Sequence, residues 1–335
     1  MKFPVSAICL MATFIISCGK SVNYIEDKSY QIDDKNASRG QNERVSSLIF
    51  HYTALPFEES LRVLTAGAVS AHWLVPENGN KIYKLVDENK RAFHAGISTW
   101  KSRTNINDTS VGVEIVNLGF VCSDGKTDCS KEKRKWFPYP EEQQTLIVEL
   151  AKDIQKRFQI DPLCVVAHSD LAVGRKSDPG PLFPWKLLAE NGVGSWVTED
   201  EIIKEIQNIN TNISSDISRL LVQTRLYEFG YEIKNLNVSD NFVLDKMKKY
   251  GYDSKKIKLS DLSALNELNN YGNLHTSNDD IFDSNLTTQA IDAFLMHYLP
   301  EEYLSNTIPE NKKILATLQA LLIKYPNRAK IGCGF

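Results

Sequence analysis

The sequence lacks several features that would assign it to a class at once. Its formal net charge is only −3, so no broad positive field invites a nucleic acid, and nucleic-acid partners are set aside. No internal repeat is evident, which removes solenoids and propellers. There is no helical HExxH pair, so the commonest way of writing a zinc hydrolase into a sequence is missing. What remains is an ordinary globular composition, 42% hydrophobic and 24% charged. The length of 335 residues favours two domains over one.

Long apolar runs are also scarce. The clearest, Phe3 to Ile16 after Lys2, is shorter than the roughly 20 residues a spanning helix needs and reads as the h-region of a secretory leader. It ends in Ile15-Ile16-Ser17-Cys18-Gly19. That matches the bacterial lipoprotein pattern, in which small residues precede a cysteine that is lipidated and becomes the first residue. An ordinary signal peptide with a coincidental cysteine is the competing reading. The expectation is a leader over 1–18, lipidation at Cys18 and a polar, flexible tether over 19–44. Gly19 rather than Asp at the next position suggests sorting to the periplasmic face of the outer membrane.

Six cysteines are few enough to place one by one. Cys9 lies in the leader and Cys18 is the lipid candidate. Cys122 and Cys129 bracket a polar loop that an exported protein can close with a disulfide. A zinc pair is the alternative, without a second Cys/His pair nearby. Cys164 sits in an apolar run and reads as a buried thiol. Cys333 carries no readable state.

Strand and helix signals alternate over 45–195, pointing to an α/β domain with a central mixed β-sheet flanked by helices. Strands are expected at 46–53, 72–75, 81–86, 111–117 and 163–167. The clearest helix is 141–158, with Pro140 at its start and one face marked by Leu146, Ile147, Leu150, Ala151, Ile154 and Phe158. Its Gln and Lys positions read as solvated. Beyond Trp196 the pattern becomes helical, with candidates at 214–229, 286–298 and 308–325. The last opens on Thr307-x-x-Glu310 with Pro309, a capping-box signature. A small all-α domain is therefore expected over 205–330, interrupted by a long polar insertion at 235–283.

Two apolar runs end alike. Ser47-Leu48-Ile49-Phe50 leads into His51-Tyr52-Thr53, and Cys164-Val165-Val166-Ala167 leads into HSDLAVGRKSDPG at 168–180. Two histidines at strand ends plus a loop carboxylate, either Asp170 or Asp178, supply three corners of a catalytic zinc site and leave a fourth for water. In Val111-Gly112-Val113-Glu114-Ile115-Val116-Asn117, alternation puts Glu114 opposite the Val111, Val113 and Ile115 face. A glutamate within an apolar strand is costly to bury without a partner. A catalytic role would explain it, and so would a solvent-facing edge strand.

Taken in order, His51-Tyr52-Thr53, Ser70-Ala71-His72, Phe93-His94-Ala95-Gly96, Val111-Gly112-Val113-Glu114 and His168-Ser169-Asp170 through Gly174-Arg175-Lys176-x-Asp178-Pro179-Gly180 resemble the zinc-dependent N-acetylmuramoyl-L-alanine amidases. These are related to phage lysozyme amidases and peptidoglycan recognition proteins, and the resemblance is closest to the AmiD-like lipoprotein branch. The resemblance covers 45–195 and implies Zn2+ held by His51, His168 and Asp178. It also implies Glu114 as catalytic acid/base and Lys176 as the residue that offsets charge on the developing oxyanion. A surface ion pair with Asp178 is the plainer reading of Lys176. Substrate contacts would come from His94, Tyr52, Asn117, Trp100 and Arg175, of which His94 reads equally as structural and the aromatics as packing. His72 reads as a satisfied core histidine, Asp170 as a loop cap, and His275 and His297 have no assigned role.

The C-terminal run Leu220-Leu221-Val222-Gln223 to Phe229-Gly230-Tyr231, followed by Thr287 to Phe294, is similar to the three-helix peptidoglycan-binding-like module. Leu295 replaces that module's usual glutamine, so a purely structural appendage stands beside glycan binding. The expected protein is a probe of the wall rather than of nucleic acid. It is an exported, lipid-anchored, monomeric hydrolase acting on peptidoglycan or muropeptides in cell-wall turnover. A non-catalytic recognition protein or wall-anchoring lipoprotein is the alternative, and the full set of ligands together with Glu114 discriminates against it.

Overall fold

The computed structural model describes residues 38–41, 43–209, 215–234, 282–307, 309–325 and 333. The expected leader with Cys18, most of the tether and nearly all of the 235–283 insertion, His275 included, lie outside the described residues. Among the described residues no helix is long and apolar enough to cross a membrane.

A mixed five-stranded sheet forms the centre. Its elements are β1 (Ser47–Tyr52), β2 (Trp73–Val75), β3 (Tyr83–Lys84) and β4 (Ser110–Ile115), joined by β7 (Val165–Ala167) in the order β3-β2-β4-β1-β7. β1 runs parallel to β4 and β7, β2 runs parallel to β4, and only β3 is antiparallel. Interior parallel strands are covered on both faces, so their sequences read as near-continuous apolar runs. Ser47 through His51 are accordingly all buried. β5 (Phe120–Cys122) and β6 (Arg134–Trp136) make a separate hairpin.

The helices are α1 (Phe57–Thr65), α2 (Glu141–Phe158), α3 (His168–Leu171), α4 (Trp185–Glu190), α5 (Glu199–Asn208), α6 (Ser215–Phe229), α7 (Ser284–Tyr298), α8 (Pro300–Leu304) and α9 (Asn311–Lys324). α2 has the expected bounds and lays Ile147, Leu150, Ala151 and Ile154 against the sheet. It departs from expectation at Gln143, which is buried and donates its amide to the carbonyls of Pro76 and Val116. The capping box at α9 does not form. The helix begins after an extended Glu310 without a side-chain cap, because Thr307 is held in the preceding turn by Ser305 and the Glu302 carbonyl. β7 is shorter than expected because Pro162–Cys164 turns as a 3₁₀ segment, fixed by Asp161 accepting from the Leu163 amide.

Cys122 and Cys129 are disulfide-bonded, as the loop spacing suggests. Cys164 corrects the sequence reading: it is buried but bonded to Cys333, across 169 residues. Proximity in the fold rather than in sequence makes this pair, so neither half carried a signal. Closing so long a loop restricts the unfolded chain by about 5 kcal/mol, against about 2.5 kcal/mol for the short loop at 122–129. Denaturant titration of Cys164→Ser and Cys122→Ser should show the first losing clearly more stability. Equal losses would remove the loop-closure account.

The described residues from 43 onward belong to one compact unit, and the larger of their two apolar clusters runs from the sheet into the C-terminal helices. Trp100 packs edge-on against Phe229 and Tyr231, and Trp185 stacks on His297.

Candidate active site

Parallel register sets the site. His51 lies opposite Glu114 on neighbouring strands, so both side chains leave the same face of the sheet. His168 is the first residue of α3, immediately after β7 on the other side of β1, and the loop that follows returns Asp178 to it. His51 Nδ1 and His168 Nδ1 are 2.9 Å apart, and Asp178 Oδ2 is 3.1 Å from the first and 2.9 Å from the second. All three residues are buried, and among the described residues they form the one cluster of His, Cys, Asp and Glu side chains arranged to hold a metal ion.

The outward-facing nitrogens fix the imidazoles. His168 Nε2 lies 3.0 Å from the Ala95 carbonyl and must carry a proton to donate to it, which leaves Nδ1 as a lone pair. His51 Nε2 lies 3.0 Å from His94 Nδ1. His94 Nε2 then donates to Ser110 Oγ (3.1 Å), whose hydroxyl donates to the Ile106 carbonyl (2.7 Å). This chain is consistent in only one direction once it ends on a carbonyl, and it leaves His51 Nδ1 unprotonated toward Asp178. Burial, and secondarily the His168 imidazole, lower the His51 pKa to about 4. Burial likewise holds His94 well below the usual range. His51 is therefore neutral near pH 7, the form in which an imidazole can bind a metal.

Glu114 keeps a partly exposed face, but its Oε2 is buried and has no hydrogen-bond partner. Burial and then the Asp178 charge push the carboxyl up to about 8, with Lys176 opposing. Lys176 is exposed on the loop between His168 and Asp178, and its charge reaches both Glu114 and His51. Among the described residues it pairs with no carboxylate, so an ion pair with Asp178 is not formed.

The other expected contacts divide. Arg175 donates to the Ala95 and Ile97 carbonyls and pins the loop that faces His168. Tyr52 bonds Ser177 through its hydroxyl, beside the metal cluster. His94 stands behind His51 with both ring nitrogens engaged. Gly112 makes room for it, since a Cβ there would strike the His94 ring. Asn117 donates to the Phe137 and Pro138 carbonyls and accepts from the Gly119 amide. Trp100 is only 2% exposed and donates to the Leu163 carbonyl, so it offers no surface to a ligand. His72 is the satisfied core histidine expected, accepting from the Gly112 amide and donating to the Lys90 carbonyl. Sequence reasoning missed Ser110, a strand serine with no local signal, and the partners of Asp170.

Residues 41–181 match the family described as N-acetylmuramoyl-L-alanine amidase. The chain is 38% identical over 230 residues to the N-acetylmuramoyl-L-alanine amidase AmiD of Escherichia coli, spanning 67% of this chain and 80% of that protein. The chain belongs to the N-acetylmuramoyl-L-alanine amidase family. Among solved structures the amidase resembles E. coli AmiD in complex with anhydro-N-acetylmuramic acid-L-Ala-D-γ-Glu-L-Lys (TM-score 0.65, 30% identity, 90% of this chain and 97% of that one). It also resembles AmpDh3 of Pseudomonas aeruginosa (TM-score 0.63, 30% identity, 89% and 99%). These matches extend through the C-terminal helices, so the amidase shares the whole architecture and not the sheet alone. As a member of this family it is a hydrolase of the amide between N-acetylmuramic acid and L-alanine in peptidoglycan.

Proposed function

We propose that the chain is a zinc-dependent amidase of cell-wall turnover, carried on a lipid anchor at Cys18, with His51, His168 and Asp178 as the metal ligands. One observation carries the reading. Three ligand atoms within hydrogen-bond distance of each other converge beside a buried Glu114 oxygen that has no partner. Ligands about 2.0–2.1 Å from a tetrahedral zinc sit roughly 3.3–3.4 Å apart, so the observed triangle needs to open by only a few tenths of an ångström. Two neutral imidazoles and one carboxylate are also the donor set that zinc favours in hydrolytic sites. When bound, zinc supplies a positive charge that polarises the scissile carbonyl and acidifies a water at the open position.

The protein's own groups do the rest. Glu114 takes a proton from the attacking water and delivers it to the L-alanine nitrogen as the carbon–nitrogen bond breaks. Glu114 holds its proton more tightly than a solvated carboxyl does, and with a cation held by His51, His168 and Asp178 it would give that proton up more readily. Lys176, unpaired and on the rim, offsets negative charge on the carbonyl oxygen. His94 and Ser110 hold the tautomer of His51, and Arg175 holds the loop whose Ala95 carbonyl does the same for His168. The relatives solved with anhydromuramyl peptides support a muropeptide as the ligand of this site. The Cys18 anchor would confine the enzyme to a membrane surface facing the wall, the periplasmic face of the outer membrane.

Incubating the chain without its leader (1–18) with purified peptidoglycan, and assaying newly released L-alanine amino termini, tests this reading. Release should stop with chelator, return with Zn2+, and be absent in His168→Ala. Release that survives chelation, or equal release from His168→Ala, overturns it.

A further inference from the structure

The segment that carries His168, Lys176 and Asp178 is held by the C-terminal region at three places. Cys164, just before β7, is bonded to Cys333. Gly174 lies under the carboxamide of Gln289 on α7, into which any side chain at 174 would run. Between them Asp170, 0% exposed, receives three hydrogen bonds. Its Oδ1 accepts from the Tyr231 hydroxyl at 2.7 Å, and its Oδ2 accepts from His297 Nδ1 at 2.7 Å and the Ala167 amide at 2.8 Å.

Asp170 is thus more than the loop cap its sequence suggests. It is the third residue of the four-residue α3, which begins at His168, and through the Ala167 amide it closes that turn. A buried carboxylate keeps its place only where its donors are, because it cannot trade them for water. Two of the three come from the C-terminal region, and both are buried and packed against aromatic rings. His297 is stacked between Trp185 (centroids 3.7 Å apart) and Tyr298 (3.9 Å), and Tyr231 is packed edge-on against Trp100. The position of His297 therefore sets the position of Asp170, and Asp170 sets the turn from which the His168 imidazole projects. A ligand set works within a few tenths of an ångström.

We propose that His297 and Tyr231, acting through Asp170, are positioning residues for His168, so that the C-terminal helical region is a built part of the metal site. An independent wall-binding module would have no need of this contact. The inference rests on the reading of His51, His168 and Asp178 as metal ligands.

The test uses the purified full chain and measures Zn2+ affinity by competition with a chromophoric chelator, alongside the metal-free unfolding midpoint and kcat and KM on a muropeptide. His297→Leu should weaken Zn2+ binding about tenfold or more, the range for loss of an outer partner of a ligand. It should lower kcat with KM little changed. His297→Asn, which can still direct an N–H at Asp170, should recover most of that loss. A lowered unfolding midpoint with wild-type Zn2+ affinity and kcat would mean a structural role only and overturns the inference. If His297→Leu does not fold, Tyr231→Phe decides: it deletes a single hydroxyl, and wild-type Zn2+ affinity in that variant overturns the inference equally. A wild-type chain that binds no Zn2+ overturns the metal reading itself, a result distinct from a His297 variant that binds as well as wild type.

Discussion

Glu114→Gln should retain the metal, bind the muropeptide and lose roughly 10²–10⁴-fold in kcat, the span that a positioned general acid/base contributes. The glutamine keeps the shape of the side chain in β4 and removes only its capacity to take and return a proton. The same substitution should stabilise the metal-free protein. Burial and Asp178 raise the folded-state pKa of Glu114 to about 8, above its value of about 4.5 in the unfolded chain. Between those limits the folded state holds a proton that the unfolded state has released, so stability falls as pH rises. The slope reaches about 1.4 kcal/mol per pH unit. Below that window the carboxyl is neutral in both states and the variant gains nothing. Denaturant midpoints of both proteins after chelation, measured at pH 4 and pH 7.5, check the sign. A wild type that matches Glu114→Gln at pH 7.5 would show that the carboxylate is solvated in the absence of metal. An unchanged kcat would remove Glu114 from the chemistry.

That opposition between stability and function at one strand position explains why Glu114 was half-legible in the sequence. Alternation placed it on the face opposite Val111, Val113 and Ile115, which are fully buried. The pattern could not say whether that face met solvent or a site. Pairing decides it: β4 lies between β1 and β2, so Glu114 is central, and its neighbour in register is His51. The two histidines at the ends of apolar runs were legible for a related reason. β1 is interior and β7, though at the sheet edge, is wholly buried, so both runs are apolar and the first polar residue at each strand's end stands out.

What the sequence hid is what depends on distant contacts. His94 was visible as a histidine in a glycine-flanked segment, but its place behind His51 depends on the missing side chain of Gly112, a residue of β4. The disulfide from Cys164 to Cys333, and the bonds from Tyr231 and His297 to Asp170, join positions between 61 and 169 residues apart. No periodicity or spacing records such pairs. Three helices of the C-terminal region, α6, α7 and α9, were legible from their 3.6-residue pattern within a few residues at their ends, whereas α5 and α8 were not. That the C-terminal helices share one core with the sheet was not legible either, because an apolar helix face does not name its partner.

The choice between two carboxylates of one loop, Asp170 and Asp178, gives the other large effect. Asp178→Asn should lower Zn2+ affinity by more than about 100-fold, since outer partners of a ligand alone account for 10–100-fold. Hydrolysis should fall with the loss of metal. The substitution is isosteric, so the loop keeps its course, but the site loses the negative charge that lets two neutral imidazoles hold a dication. The structure motivates the contrast directly. Asp178 Oδ2 faces the Nδ1 lone pairs of both His51 and His168, three electron-pair donors that a cation held between them would reconcile. Asp170 has no such freedom, because both its oxygens are filled by donors from Ala167, His297 and Tyr231. Metal content after dialysis separates the two assignments. With Asp178 as the ligand, Asp178→Asn emerges almost empty at micromolar Zn2+, whereas Asp170→Asn, which disturbs only the turn beneath His168, retains a measurable share. The reverse ranking would move the third ligand to Asp170 and undo the division of roles within the 168–180 loop.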